Sequence, residues 1–161
     1  MALGGYDIAQ VCLNGHVTNP SSQRFPERDR AYCTDCGQPT IQACQECGGA
    51  IRGRYSARGL ITTGYHRPAF CHSCGKPYPW TARSLEAARE LAQEMEGLSS
   101  EEQATLAGTL DDLLTETPRT QVQATRFKRL LAKAGKGTAE ALRKIMVDVM
   151  SEAAKKAILG P

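Results

Sequence analysis

"CTDCGQPTIQACQECGG", residues 33–49, sets two Cys-x-x-Cys pairs seven residues apart. Two thiols separated by two residues can be presented from one turn, at one edge of a tetrahedral metal site. The glycine after each pair, Gly37 or Gly48, supplies a backbone angle that side chains resist and lets amides approach the sulfurs. Working outward, "FCHSCGKP" (70–77) repeats the pattern with Cys71, Cys74 and Gly75. A variant lies upstream in "VCLNGHV" (11–17), where Cys12 and His16 straddle an Asn-Gly turn. Cys12, His16, Cys33, Cys36, Cys44, Cys47, Cys71 and Cys74 make eight ligands, enough for two closed four-ligand sites.

Disulfides are the competing use of these residues. Seven cysteines leave one thiol over in any pairing scheme. The start, "MALGGYDIAQ", has neither a basic n-region nor an apolar h-region, so no secretory signal is expected. No run approaches the roughly 18 apolar residues of a membrane span. These features predict a cytoplasmic protein without membrane contact, in a reducing compartment where grouped cysteines serve as metal ligands. The expected cofactor is two Zn²⁺. Every cysteine falls between residues 12 and 74, which divides the chain by its stabilising logic. Residues 1–80 form a metal-stapled part too small to fold on buried surface alone, and residues 81–161 form a second, helical domain.

The gaps between successive pairs are 16, 7 and 23 residues. A sequential arrangement puts Cys12, His16, Cys33 and Cys36 on one metal and Cys44, Cys47, Cys71 and Cys74 on the other, the layout of tandem zinc ribbons. A cross-braced arrangement, as in RING-type ligases, stays open, although those domains usually leave fewer residues between the middle pairs. His72 lies inside a knuckle and His66 five residues before Cys71, so both read as surface or supporting histidines. Neither zinc is expected to be catalytic. All positions are filled, and the chain lacks His-Glu-x-x-His and the deaminase pattern of Glu beside a His ligand. Glu46 reads as a solvated knuckle side chain.

With structural metals, function falls to the surface they support. The stretch between Cys47 and Cys71 carries Arg52, Arg54, Tyr55, Arg58 and Arg67, and no acid lies between Glu46 and Glu86. Arg52 and Arg54, on alternate strand positions, would share one face and contact phosphates while Tyr55 stacks elsewhere. The other reading is a solvated hairpin whose Ile51, Leu60 and Ile61 cover the small core. Charge does not decide between them. Residues 1–80 carry +3, but seven thiolates with two Zn²⁺ add −3, so the loaded part is nearly neutral. Trp80, in "KPYPWTARS" (76–84), is expected to pack where the two parts meet.

From residue 81 the apolar period becomes helical, and about four helices are predicted. Leu85, Ala88, Leu91, Ala92 and Met95 mark the first, and the capping box Ser99-x-x-Glu102 opens the second. Thr117-Pro118 reads as N-cap and first residue of the third, with Val122, Phe127, Leu130, Leu131 and Ala134 on its face. Gly135 to Gly137 would end it, with Thr138 capping a last helix whose stripe runs from Leu142 to Ala157. Residues 81–117 carry −7 and residues 118–161 carry +7, so neighbouring helices attract, within a hairpin or between chains. "KAGKGTAEA" (133–141) fails the spacing of a phosphate-binding loop.

The order of "VCLNGHV", "YCTDCGQPTIQACQECGGAIRG" and "PAFCHSCGKPYPW", continued through "TPRTQVQATRFKRLLAKAG", resembles a bacterial family of uncharacterised proteins with paired zinc ribbons. The resemblance implies fold and metal and names no activity. The fold expected is thus a small metal-bound β part, two zinc ribbons, followed by an all-α domain, α+β overall. The function expected is a non-catalytic adaptor, meeting a protein partner or a second copy of itself through the helical domain. Nucleic-acid binding by the Arg/Tyr loop is the alternative, and a RING-like ligase or zinc enzyme comes third.

Overall fold

The computed structural model describes residues 4–60 and 62–161. Ile61, one of the three residues expected over the small core, lies outside the described residues. The chain divides into two compact units, Met1–Ala82 and Arg83–Pro161. The first is small and β-rich and the second is helical, so the class is α+β.

In the first unit, β1 (Gly5–Ile8) pairs antiparallel with β5 (Arg52–Ser56), Tyr6 facing Tyr55 and Ile8 facing Arg52. β2 (Gln10–Cys12) is the centre of a three-stranded antiparallel sheet, flanked by β3 (Val17–Asn19) and β4 (Thr40–Ile41). Gly53 has to be glycine. A Cβ there would lie 2.5 Å from the Pro20 carbonyl oxygen and under 3 Å from the Ile8 and Ala9 backbone. The unit's core gathers Ala9, Val11, Cys44, Ile51, Cys71, Tyr78 and Trp80. Two of its members are thiols, so the hydrophobic core is continuous with a cysteine cluster. Tyr78 and Trp80 stack with ring centroids 4.7 Å apart. Trp80 also donates from its indole N–H to the Pro68 carbonyl at 2.9 Å, which places it inside this core. Leu60 is 53% exposed, so Ile51 alone of the expected trio is seen buried.

Among the described residues five helices follow, where about four were expected: α1 (Pro79–Gln93), α2 (Ser100–Leu113), α3 (Thr120–Lys133), α4 (Lys136–Val147) and α5 (Glu152–Leu159). The expected last helix is broken because Ser151 leaves helical geometry and accepts the Ala154 N–H, capping α5. The break is pinned from outside: Ser151 N–H donates to the Leu113 carbonyl and Ala153 N–H to the Glu116 carboxylate. α2 opens with the expected capping box, Ser99 and Glu102 each accepting the other's backbone N–H.

α3 packs against α2, α4 and α5, burying Ala124, Phe127, Leu130 and Leu131. Its start departs from expectation. Thr117 and Pro118 form a turn ahead of the helix, and the buried face takes Gln123 while Val122 is 52% exposed. Gly135, expected to terminate α3, instead stands at the N-cap of α4, and Thr138 lies inside that helix. Two ion pairs join the opposed charge runs within the unit, Asp112 with Arg119 and Glu102 with Lys133, while Arg89, itself in the acidic run, gives one guanidinium nitrogen to both Asp111 oxygens at 2.7 Å. Among the described residues no helix is long and apolar enough to cross a membrane.

Candidate metal centres

Three turns of one design carry six of the ligands. In each, the first cysteine's N–H donates to a carbonyl five residues on, and the glycine N–H returns to that cysteine's carbonyl: Cys33–Gln38 and Gly37–Cys33, Cys44–Gly49 and Gly48–Cys44, Cys71–Lys76 and Gly75–Cys71, all at 2.8–2.9 Å. Each turn is closed by one β-bridge, Tyr32–Pro39, Ala43–Ala50 or Phe70–Pro77. Gly37, Gly48 and Gly75 have φ of +70 to +75°, the left-handed angle the closure demands. The fourth turn is tighter, Cys12 N–H donating to the His16 carbonyl and Gly15 N–H to the Cys12 carbonyl. A Cβ on Gly15 would strike Arg67 and Trp80, so nothing but glycine fits between this turn and the core.

The structure brings all eight predicted ligands together in two sequential groups, Cys12/His16/Cys33/Cys36 and Cys44/Cys47/Cys71/Cys74, with donor atoms in each group within 4.8 Å of one another. His66, His72 and Glu46 belong to neither group. In the first group the Cys12 and Cys36 sulfurs are 3.7 Å apart, and His16 Nδ1 lies 3.5 Å from the Cys12 sulfur and 3.6 Å from that of Cys33. In the second, Cys44–Cys74 and Cys47–Cys71 are separated by 3.8 and 3.7 Å. A tetrahedron with metal–sulfur bonds of about 2.3 Å has sulfur–sulfur edges of about 3.8 Å and sulfur–nitrogen edges of about 3.6 Å. These separations match the edges of a tetrahedron sized for such an ion. A disulfide needs its sulfurs about 2.05 Å apart, and all seven cysteines are free.

The loop that completes the first group is held by one carboxylate. Asp29 accepts from Asn19 Nδ2 at 2.6 Å, Ser22 Oγ at 2.8 Å and Gln42 Nε2 at 2.6 Å. These bonds tie the segment after His16 to the strand between Cys36 and Cys44.

The charge on the sulfurs agrees with their spacing. The Gln38 amide lowers the Cys36 thiol to about 6, and the Cys74 and Ser73 amides lower Cys71 to about 6. At Cys74 the Lys76 amide acts the same way, yet burial and the thiols of Cys47, Cys44 and Cys71 outweigh it and push the group up to about 12. Burial likewise raises Cys12. In each cluster one thiol, Cys36 or Cys71, is drawn toward ionisation while another, Cys12 or Cys74, is held back from it, and a divalent cation would relieve that opposition. Amides also point at the sulfurs directly, His16 N–H at Cys12 from 3.2 Å and Ser73 N–H at Cys71 from 3.4 Å.

The five other candidate residues part ways. Arg52, Arg54 and Tyr55 lie on β5, and Arg58 is exposed in the turn beyond it. Arg52 does not simply share a face with Arg54: its guanidinium sits 4.9 Å from the Tyr6 ring, and Tyr6 meets Tyr55 edge-on at 5.1 Å. Arg54 is half-buried with its Nε shielded from solvent and unpaired. Arg67 is set apart from them, against the Gly15 turn. Sequence reasoning missed Tyr6, which the β1–β5 pairing brings beside Tyr55, and Arg24, which reaches β5 by donating to Ser56 Oγ at 3.0 Å. The Tyr-x-Ile alternation in "GYDI" was the available signal for the strand, but its partner lies some forty-five residues away.

A family model described as "Uncharacterized protein conserved in bacteria (DUF2321)" matches residues 5–158. No curated protein and no solved structure matches the chain.

Proposed function

Since the chain belongs to that bacterial family of uncharacterised proteins, we propose that it is a non-catalytic binding module built on two structural Zn²⁺ ions. The observation that carries this reading is closure. Each group supplies four protein donors at tetrahedral spacing, whereas a catalytic zinc keeps one position for water. Sulfur and imidazole donors in that geometry suit zinc above the harder divalent ions. Seven unpaired cysteines suit a reducing compartment such as the cytoplasm. Cys44 and Cys71 stand in the core itself, so the metal holds the fold together rather than facing a substrate.

A module of this kind acts as an adaptor through the surfaces its metals support. In the helical unit the large apolar side chains of Val122 and Leu159 are each 52% exposed, and they offer a contact to a protein partner or a second copy. Light scattering over a range of protein concentrations tests the self-association arm, since a constant monomer mass excludes it. Metal analysis with X-ray absorption at the zinc edge tests the main reading. Two Zn²⁺ per chain with only sulfur and imidazole nitrogen in the coordination shell is the expected result. A bound water oxygen at either zinc would overturn the non-catalytic reading.

A further inference from the structure

The β1–β5 ribbon gathers aromatic and cationic side chains around open space. Tyr6 is 56% exposed and Tyr55 37%, and they meet across the two strands with the Arg52 guanidinium on Tyr6. Beside them runs a groove of about 640 Å³, lined by Tyr6, Asp7, Arg24, Ser56, Arg58 and Leu60 among others. A second cavity, of about 250 Å³, shares Asp7, Arg24, Ser56 and Leu60 with it and adds Arg54 and Tyr55. Arg54 brings to that cavity a buried Nε–H with no acceptor among the described residues. A buried donor of this kind is costly until something accepts from it.

The charge balance is one-sided. Three arginines, at 24, 54 and 58, line the two spaces, Arg52 lies on the Tyr6 ring at their edge, and Asp7 is the single acid among the described lining residues. One oxygen of that acid is already engaged, accepting the N–H groups of Ile8 at 2.7 Å and Gln23 at 2.8 Å. What fits is a ligand with spaced negative charges and flat apolar faces. Arginines answer phosphates, with the planar fork matched to their oxygens. Tyrosine rings and a guanidinium plane answer unstacked bases.

We infer that the ribbon of the first unit binds single-stranded nucleic acid, with Arg24, Arg54 and Arg58 on the phosphates and Tyr6, Tyr55 and Arg52 stacking bases. This rests on the binding-module reading and names its ligand. A duplex keeps its bases stacked inside and offers the tyrosines nothing, so the surface selects single strands.

The test uses the zinc-loaded full chain and fluorescein-labelled oligo-dT, oligo-U and a DNA duplex, each about 12 nucleotides long, matching the span of a small single-strand site. Anisotropy is read between about 50 and 200 mM salt. Single strands should bind with a log–log salt slope of about −2, as three neutralised phosphates give, and the duplex should bind at least tenfold more weakly. The dT and U arms show whether DNA or RNA is held. Tyr6→Ala should weaken binding about 5- to 100-fold, the loss of one base stack. The pair Arg24→Ala with Arg58→Ala should flatten the salt slope to about −0.7, as one remaining phosphate contact gives. The pair Arg126→Ala with Arg129→Ala, on exposed positions of α3, should change neither. Zinc content and melting temperature are measured on every variant, so a misfolded one is recognised and replaced by Tyr6→Leu or Arg58→Gln. Flat titrations with two zinc ions in place, equal binding of duplex, or an equal loss in the α3 variant would each overturn the inference and leave the closed-zinc reading standing. An open zinc shell would overturn that reading by itself.

Discussion

Cys44→Ser is the sharpest probe of the idea that metal and core are one object. Cys44 is 5% exposed and belongs to the core cluster with Cys71, Tyr78 and Trp80. Structural zinc carries about 10–16 kcal/mol of apparent binding free energy, or about 2.5–4 kcal/mol per ligand. The serine hydroxyl adds about 1–3 kcal/mol because it stands among apolar side chains. The sum, about 4–7 kcal/mol, compares with a total stability of about 5–15 kcal/mol for a small domain. The first unit should therefore lose its cooperative melt near room temperature. The helical unit buries its own Phe127, Leu106, Leu110 and Leu142 and should keep its ellipticity at 222 nm. The assay pairs a chelator-dye zinc count with thermal circular dichroism. Zinc should fall from two per chain to one or fewer, with the near-ultraviolet signal of buried Trp80 lost. A variant that retains two zinc ions and an unchanged melt would refute the ligand assignment and the argument built on it.

Three further perturbations bear on the scaffold. Gly53→Ala pushes a methyl group into the backbone of Pro20, Ile8 and Ala9, and overpacking of this kind should cost about 1–3 kcal/mol by chemical denaturation. Wild-type stability would mean the ribbon yields at that point. Ser151→Ala removes the cap of α5 and should cost about 1 kcal/mol, with faster amide exchange at Ala154 and Lys155; unchanged exchange there would show that the Leu113 and Glu116 contacts hold the break alone. Glu102 titrates below its ordinary value, held down by Lys133 and then by the Ser99 N–H. Its stabilisation is present above the ordinary glutamate value and is lost as pH falls through the lowered folded one. Glu102→Gln keeps an oxygen for the cap but abolishes the charge, so the fall of melting temperature with acid should flatten, and an identical acid limb would place that dependence elsewhere.

The two groups of candidate ligands were legible because the signal is local. Cys-x-x-Cys-Gly states both the donors and the left-handed residue that closes the turn, within five positions. Sequential grouping followed from gap lengths, and the capping box at Ser99 was read from four residues. The ribbon was legible only by half. β5 showed its arginines, while β1 offered four residues whose meaning depends on a partner far along the chain. The break between α4 and α5 was hidden by an apolar stripe that runs on through it, Met146, Val149, Met150 and Ala154 all being buried. What interrupts the helix is a serine cap anchored to α2, and no pattern of apolar spacing contains that bond. Val122 failed for a related reason: polar Gln123 is buried in the α2–α3 contact because its side-chain amide donates to Asp112.

The grouping of ligands also orders events at the ribosome. All four donors of the first centre lie between Cys12 and Cys36, while the second waits for Cys74. A nascent chain can thus complete its first donor set before the strand that pairs with β1 has emerged, since Arg52–Ser56 comes later. An interleaved pair of sites would have left every early thiol waiting for a late one. Here the exposed life of Cys12, Cys33 and Cys36 in the growing polypeptide is short, and only Cys44 and Cys47 must stay reduced until synthesis reaches their distant partners.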